Sequence, residues 1–140
     1  MRKVWIIVAN SSTAKVYHAE NVNTLVEINT FIHSESQMLD RDLVSDKPGR
    51  AKDHFHTMQE QTPQQVKERT VFADQIAKFL DKAILEKGIE RIYLIANSPF
   101  LGFLRHSLKP NVTKLIESEI RKDLTHLRPE QVREYLPPVL

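Results

Sequence analysis

The chain has 140 residues, 41% of them hydrophobic and 27% charged, with a formal net charge of +2 and no cysteine. This is the make-up of one globular domain long enough to bury a core. The charge is too small to argue for DNA or an anionic membrane, and the missing thiols exclude disulfides, thiolate zinc sites and cysteine nucleophiles.

Met1-Arg2-Lys3 and the apolar run from Val4 to Ala9 imitate a secretion signal. The run is shorter than the roughly 7–15 residues such a signal needs. No stretch approaches the ~18 apolar residues of a membrane span. A cytoplasmic chain without membrane insertion is therefore expected. The run is apolar at every position and reads as a central strand buried on both faces. Asn10-Ser11-Ser12 is a turn. Residues 14–19 alternate as a second strand, with Val16 and His18 on one face and Lys15 and Tyr17 on the other. After a turn at Asn21 and Asn23, residues 24–33 form a third, with Ile28, Thr30 and Ile32 sharing a face. Short connections predict an antiparallel meander.

A polar stretch of about residues 34–62 then follows, with Asp46-Lys47-Pro48-Gly49-Arg50 near its middle. Connections this long without their own periodicity are uncommon in compact domains and are functional or disordered, so a functional or mobile loop is expected here. It ends at a strong helix start. Thr62 is a predicted N-cap, Pro63 occupies the first helical position and Gln65 completes a capping box. Phe72, Ile76, Leu80, Ala83 and Ile84 recur at helical spacing, and Gly88 supplies a left-handed stop. One amphipathic helix over 63–87 is predicted. Residues 91–96 read as another central strand. Ser98-Pro99 is a second cap-plus-proline start, for a short helix burying Phe100, Leu101, Phe103, Leu104 and Leu108. Gly102 inside it implies close packing against a neighbour. A further short helix is expected over 112–116 and a last strand over 119–124. A terminal helix is expected over 129–136, stopped by Pro137-Pro138. The predicted fold is an α/β three-layer sandwich. It has a mixed five-stranded sheet, helices on both faces, and the strand order of ribonuclease-H-like domains.

Candidate sites follow from that order. Asn10 and the pair Asn97-Ser98 end the two central strands, where α/β sheets bind ligands. The helix starting there would aim free N–H groups at an anion, and Arg105 and His106 lie on it. The plainer reading, a turn and an N-cap, is favoured by the general preference of Ser and Asn for caps. A two-metal nuclease needs carboxylates converging at these strand ends, and asparagines do not supply them. His54-x-His56, with Asp46 or Asp53, has no closed set of metal ligands, so neither metal nor cofactor is expected. Lys47, Arg50 and Lys52 are suited to phosphate contacts, although Asp40, Asp42, Asp46 and Asp53 surround them. The tail alternates Arg121, Lys122, His126, Arg128 and Arg133 with acids, as solvated faces do. Asp123 and Thr125 are suited to capping a turn there. No nucleophile elbow is present, and catalytic residues are not assigned.

Several segments carry a resemblance: residues 5–17, residues 45–50, Phe72-Ala73, and Pro99-Phe100-Leu101-Gly102-Phe103-Leu104-Arg105. Ile120-Arg121-Lys122-Asp123-Leu124-Thr125-His126-Leu127 is the most specific of them. In order, and over nearly the whole chain, they resemble the bacterial host attachment protein family. That family is similar to the middle domain of archaeal and eukaryotic peptide-release factors. The resemblance implies a role in attachment to host cells, and the release-factor likeness implies contact with the ribosome. In those factors the loop before the long helix carries a Gly-Gly-Gln that helps hydrolyse peptidyl-tRNA. Here the matching loop has Gly49-Arg50 and no Gly-Gly-Gln, so that activity is not carried over.

Three functions follow. The first is a non-catalytic domain contacting ribosomal or other structured RNA through residues 46–52 and the Arg105 region. The second is a protein-interaction factor in attachment, and the third a small hydrolase or nuclease with an unrecognised site. Oligomeric state is not readable from the sequence.

Overall fold

The computed structural model describes residues 2–33 and 62–140. Five strands form one mixed sheet in the order β3-β2-β1-β4-β5. They are β1 (Val4–Ala9), β2 (Thr13–Ala19), β3 (Leu25–Ile32), β4 (Arg91–Ala96) and β5 (Ile116–Ile120). β2 is antiparallel to both β1 and β3, while β1, β4 and β5 run parallel. All six residues of β1 are buried. Their unbroken apolar pattern is explained by cover on both faces.

Helices α1 (Pro63–Lys87), α2 (Ser98–Ser107) and α3 (Pro110–Thr113) lie on one face. The capping box of α1 is complete: Thr62 Oγ1 accepts the Gln65 N–H at 3.1 Å, and Gln65 Oε1 accepts the Thr62 N–H at 3.0 Å. Gly88 closes the helix with φ 65°, and its N–H donates to the Ile84 carbonyl at 3.1 Å. Phe72, Ile76 and Leu80 pack on Trp5, Ile7, Val16 and Leu94. Each such side chain removed from water contributes about 1.5–3 kcal/mol. Phe72 also packs against Phe100, the two rings tilted by 31° with centroids 5.6 Å apart.

The other face is sealed with much less regular structure. The five-residue α4 (Pro129–Arg133) and the chain around it bring Leu124, Val132, Leu136 and Leu140 onto Val4, Ile6, Val8, Tyr17, Tyr93 and Ile95. The Arg133 guanidinium donates to the carbonyls of Val22 (2.6 Å), Leu136 (3.4 Å) and Pro138 (3.0 Å). It thereby ties the tail to the β2–β3 turn.

Four expectations need correction. The last strand spans Ile116–Ile120 rather than 119–124, and α3 stops at Thr113. The Ile–Glu–Ser–Glu–Ile pattern of β5 alternates half-buried and exposed positions with none fully buried, as an edge strand does, so composition hid it. α4 ends at Arg133, short of 136. A β-carbon on Gly102 would meet nothing within 4 Å, so no neighbour requires that glycine. In β3 the face of Ile28, Thr30 and Ile32 is exposed, and only Leu25 is buried.

Candidate functional site

Ala9 of β1 and Ala96 of β4 are paired in register. Asn10 and Asn97 therefore leave the sheet side by side, at the carboxyl ends of parallel neighbours. The chain departs in opposite directions from these strands, to β2 on one side and by way of α2 to β5 on the other. This is the switch point at which open α/β sheets bind ligands.

Both asparagines are occupied. Asn10 Oδ1 accepts the N–H groups of Ser12 (2.9 Å) and Thr13 (2.8 Å) and the Ser12 hydroxyl (3.2 Å). Its Nδ2 donates to Asp123 Oδ2 at 3.0 Å and Thr125 Oγ1 at 3.1 Å. The neutral amide thus joins the β1–β2 turn to the segment after β5. Asn97, not Ser98, caps α2: its Oδ1 accepts the Phe100 N–H at 3.1 Å. Ser98 is the first helical residue and is exposed. Two adjacent polar residues each satisfy the cap rule, and only backbone geometry separates them.

Asp123 is the carboxylate the strand-end reading missed. Thr125 donates to its Oδ1 through the backbone N–H (3.0 Å) and through the hydroxyl (2.6 Å). Burial pushes the Asp123 carboxyl up, but the bonds from Thr125 and Asn10 and the nearby His126 together hold it below its ordinary value. The capping role expected of Asp123 and Thr125 is present. Their link to Asn10 spans 113 and 115 residues of chain, and nothing local in the sequence marks it.

His33 and Glu68 were also missed. His33 follows β3, and its N–H donates to the Ser12 carbonyl at 2.8 Å. Its Nε2 lies 2.7 Å from Glu68 Oε2, and its ring stacks on Phe72 at 5.2 Å. The end of β3 and the start of α1 are therefore held together beside the Asn10 turn.

The two other described candidates lie apart. Arg105 turns toward β5 and makes a two-pronged bond with Glu119, which raises the arginine pKa. With Leu108, Thr113, Ile116 and Ser118 the pair borders an open cavity of about 310 Å³. His106 faces an apolar groove between α1 and α2, beside Val66, Thr70, Pro99 and Phe103. Lys47, Arg50, Lys52, His54 and His56 lie outside the described residues. Among the described residues no three His, Asp or Glu side chains converge as metal ligands, and no helix is long and apolar enough to cross a membrane.

The fold is thus an α/β domain whose mixed sheet ends in a polar, hydrogen-bonded switch point. The family model for the protein required for attachment to host cells matches residues 5–136, and the chain belongs to that family. No curated protein matches it. Among solved structures it is similar to the ethanolamine utilization protein EutJ from Carboxydothermus hydrogenoformans, with 10% identity and a TM-score of 0.50 over 97% of this chain and 50% of that one. It is also similar to the Ppx/GppA family member from Aquifex aeolicus, with 15% identity and a TM-score of 0.42 over 84% of this chain and 34% of that one. The chain therefore spans half or less of these proteins, and at 10% identity the likeness to EutJ shows the fold alone.

Proposed function

We propose that this member of the attachment family is a non-catalytic binding domain, and that its partner is structured RNA. The observation that carries the reading is the contact between the described residues on either side of the basic segment. His33, the last described residue before segment 34–61, bonds Ser12 in the Asn10 turn and contacts Glu68 in the second turn of the helix that begins after it. Lys47, Arg50 and Lys52 belong to that segment of the sequence, and Ser98 at the switch point is exposed. Pro99 has no N–H and Asn97 takes that of Phe100, so cationic side chains rather than helix N–H groups are the ones suited to phosphates. Asn10 and Asn97 carry no charge, and Asp123 is spent on Asn10 and Thr125. That arrangement supports binding over two-metal hydrolysis. Strand order 3-2-1-4-5 with β2 reversed supports the finer assignment, a ribonuclease-H-like topology of the release-factor middle-domain kind.

The test is co-sedimentation with ribosomes and with a structured RNA at low and high salt. Binding at low salt is expected, falling steeply as salt rises, and falling at fixed salt in Lys47→Ala/Arg50→Ala/Lys52→Ala. No association of the wild type at low salt sinks the RNA reading. The family description favours a second reading, a protein-interaction factor needed for attachment to host cells. A deletion strain that attaches as well as its parent counts against it.

A further inference from the structure

β3 and β5 are the two edges of the sheet. An edge strand presents unpaired N–H and C=O groups, and proteins that stay single guard such edges. β5 is guarded. It is five residues long, and an antiparallel copy centred on Ser118 would set Glu117 against Glu119. Like charges placed directly opposite are destabilising.

Among the described residues, the second half of β3 has a bulge at Ile28 as its one such guard. Residues 28–32 read Ile-Asn-Thr-Phe-Ile, without charge, proline or glycine. Ile28 is 43% and Ile32 64% exposed. A bulge leaves Ile28 unpaired with β2, since Asn29 pairs Val16 and Glu27 pairs Tyr17. The His33 N–H points inward to Ser12. Antiparallel alternation then turns Phe31 inward and directs the N–H and C=O of Thr30 and Ile32 outward. The Thr30 N–H is held by its own neighbour, Asn29 Oδ1, at 2.9 Å. A local bond of that kind is readily exchanged for a strand partner.

We propose that the outer edge of β3 pairs antiparallel with the same edge of a second copy of this chain, about a two-fold axis at Thr30. The register sets Thr30 against Thr30, Ile28 against Ile32 twice, and Asn29 against Phe31 twice. No charge opposes a like charge anywhere in it. An axis perpendicular to the sheet keeps Ile28, Thr30 and Ile32 of both copies on one face, so four exposed isoleucines cover one another. The contact is isologous and closes after two copies. This self-complementarity singles out a second copy over a foreign strand, which has no reason to match the register.

Sedimentation equilibrium of the full chain over a wide concentration range tests the pairing. The mass is expected to rise from 16.3 kDa toward twice that value. In Ile28→Lys/Ile32→Lys, lysine faces lysine at two places, and the dissociation constant rises at least about tenfold. Ile28→Lys/Ile32→Glu faces lysine with glutamate at both places and restores the dimer. A wild type that stays monomeric throughout overturns the proposal, whether or not it captures other strands. So does a dimer that Ile28→Lys/Ile32→Lys leaves intact, and failure of the charge-swapped variant to recover overturns the register. Thermal melts check that the variants fold. If the lysine pair unfolds the chain, Thr30→Pro serves instead: it removes one outward N–H, tolerable on an edge strand, and adds no charge. A dimer that survives Thr30→Pro also overturns the proposal.

Discussion

The two faces of the sheet are sealed in different ways. The face carrying Trp5, Ile7 and Leu94 is covered by a 25-residue helix and two shorter ones. The face carrying Ile6, Val8 and Tyr93 is covered by a five-residue helix and irregular chain. Both bury aliphatic side chains almost completely. On the first, periodic structure supplies apolar residues at regular spacing and satisfies its own backbone. On the second, cover depends on single anchors such as Val132 and Leu136, and on one arginine that binds three carbonyls. The helical face should therefore tolerate truncation least, and the tail should yield locally first.

Denaturant unfolding of two variants would break that comparison. Phe72→Ala removes a fully buried ring that touches Phe100 and His33, with little scope for collapse. A loss of about 3–5 kcal/mol is expected. Leu136→Ala lies in a tail free to settle, and its loss should fall near the low end for such truncations, about 2 kcal/mol. Equal losses would show that the tail is as rigidly packed as the helix.

Titration sharpens the contrast further. On the tail-covered face burial, then Glu27, then Glu130 push the Tyr17 hydroxyl up to about 12. A folded pKa above the unfolded value of 10 contributes stability that is complete below pH 10 and is lost as pH rises toward 12. Unfolding midpoints should therefore fall between pH 10 and 12 in the wild type and less so in Tyr17→Phe. A parallel fall in Tyr17→Phe would assign the loss to other groups.

The smallest effect belongs to the switch point. The Asp123 pKa is lowered in the fold, so its contribution is present above the unfolded value of about 3.9. It is lost as pH falls through the lower folded value. Asp123→Asn should lower the unfolding midpoint slightly at pH 7 and converge with the wild type near pH 2. A difference that persists at pH 2 would make the role of Asp123 steric rather than ionic.

Much of the first face was legible in the sequence. Thr62, Pro63, Gln65 and Gly88 act within four residues of their partners, so the bounds of α1 follow from local chemistry. Val4–Ala9 and Arg91–Ala96 have too little polar character to face water on either side. The second face was less legible, because irregular cover leaves no period. Strand β5 was misplaced because none of its positions is fully buried, and Ile, Glu and Ser are all accepted there. Of the candidate site, Asn10, Asn97 and Ser98 were located at the strand ends. Asp123, Thr125, His33 and Glu68 were not joined to them.

By itself, the sequence determined the α/β class, the long capped helix, the two central strands and the membership of the attachment family. The first three rest on contacts between near neighbours or on runs of one polarity, and the membership rests on the resemblance of whole segments in order. Tertiary structure alone decided which asparagine caps α2, that Asn10 holds Asp123 from 113 residues away, and which face of β3 is left open. Each depends on residues remote in the chain meeting in one geometry, and side-chain chemistry at a single position carries no record of that meeting.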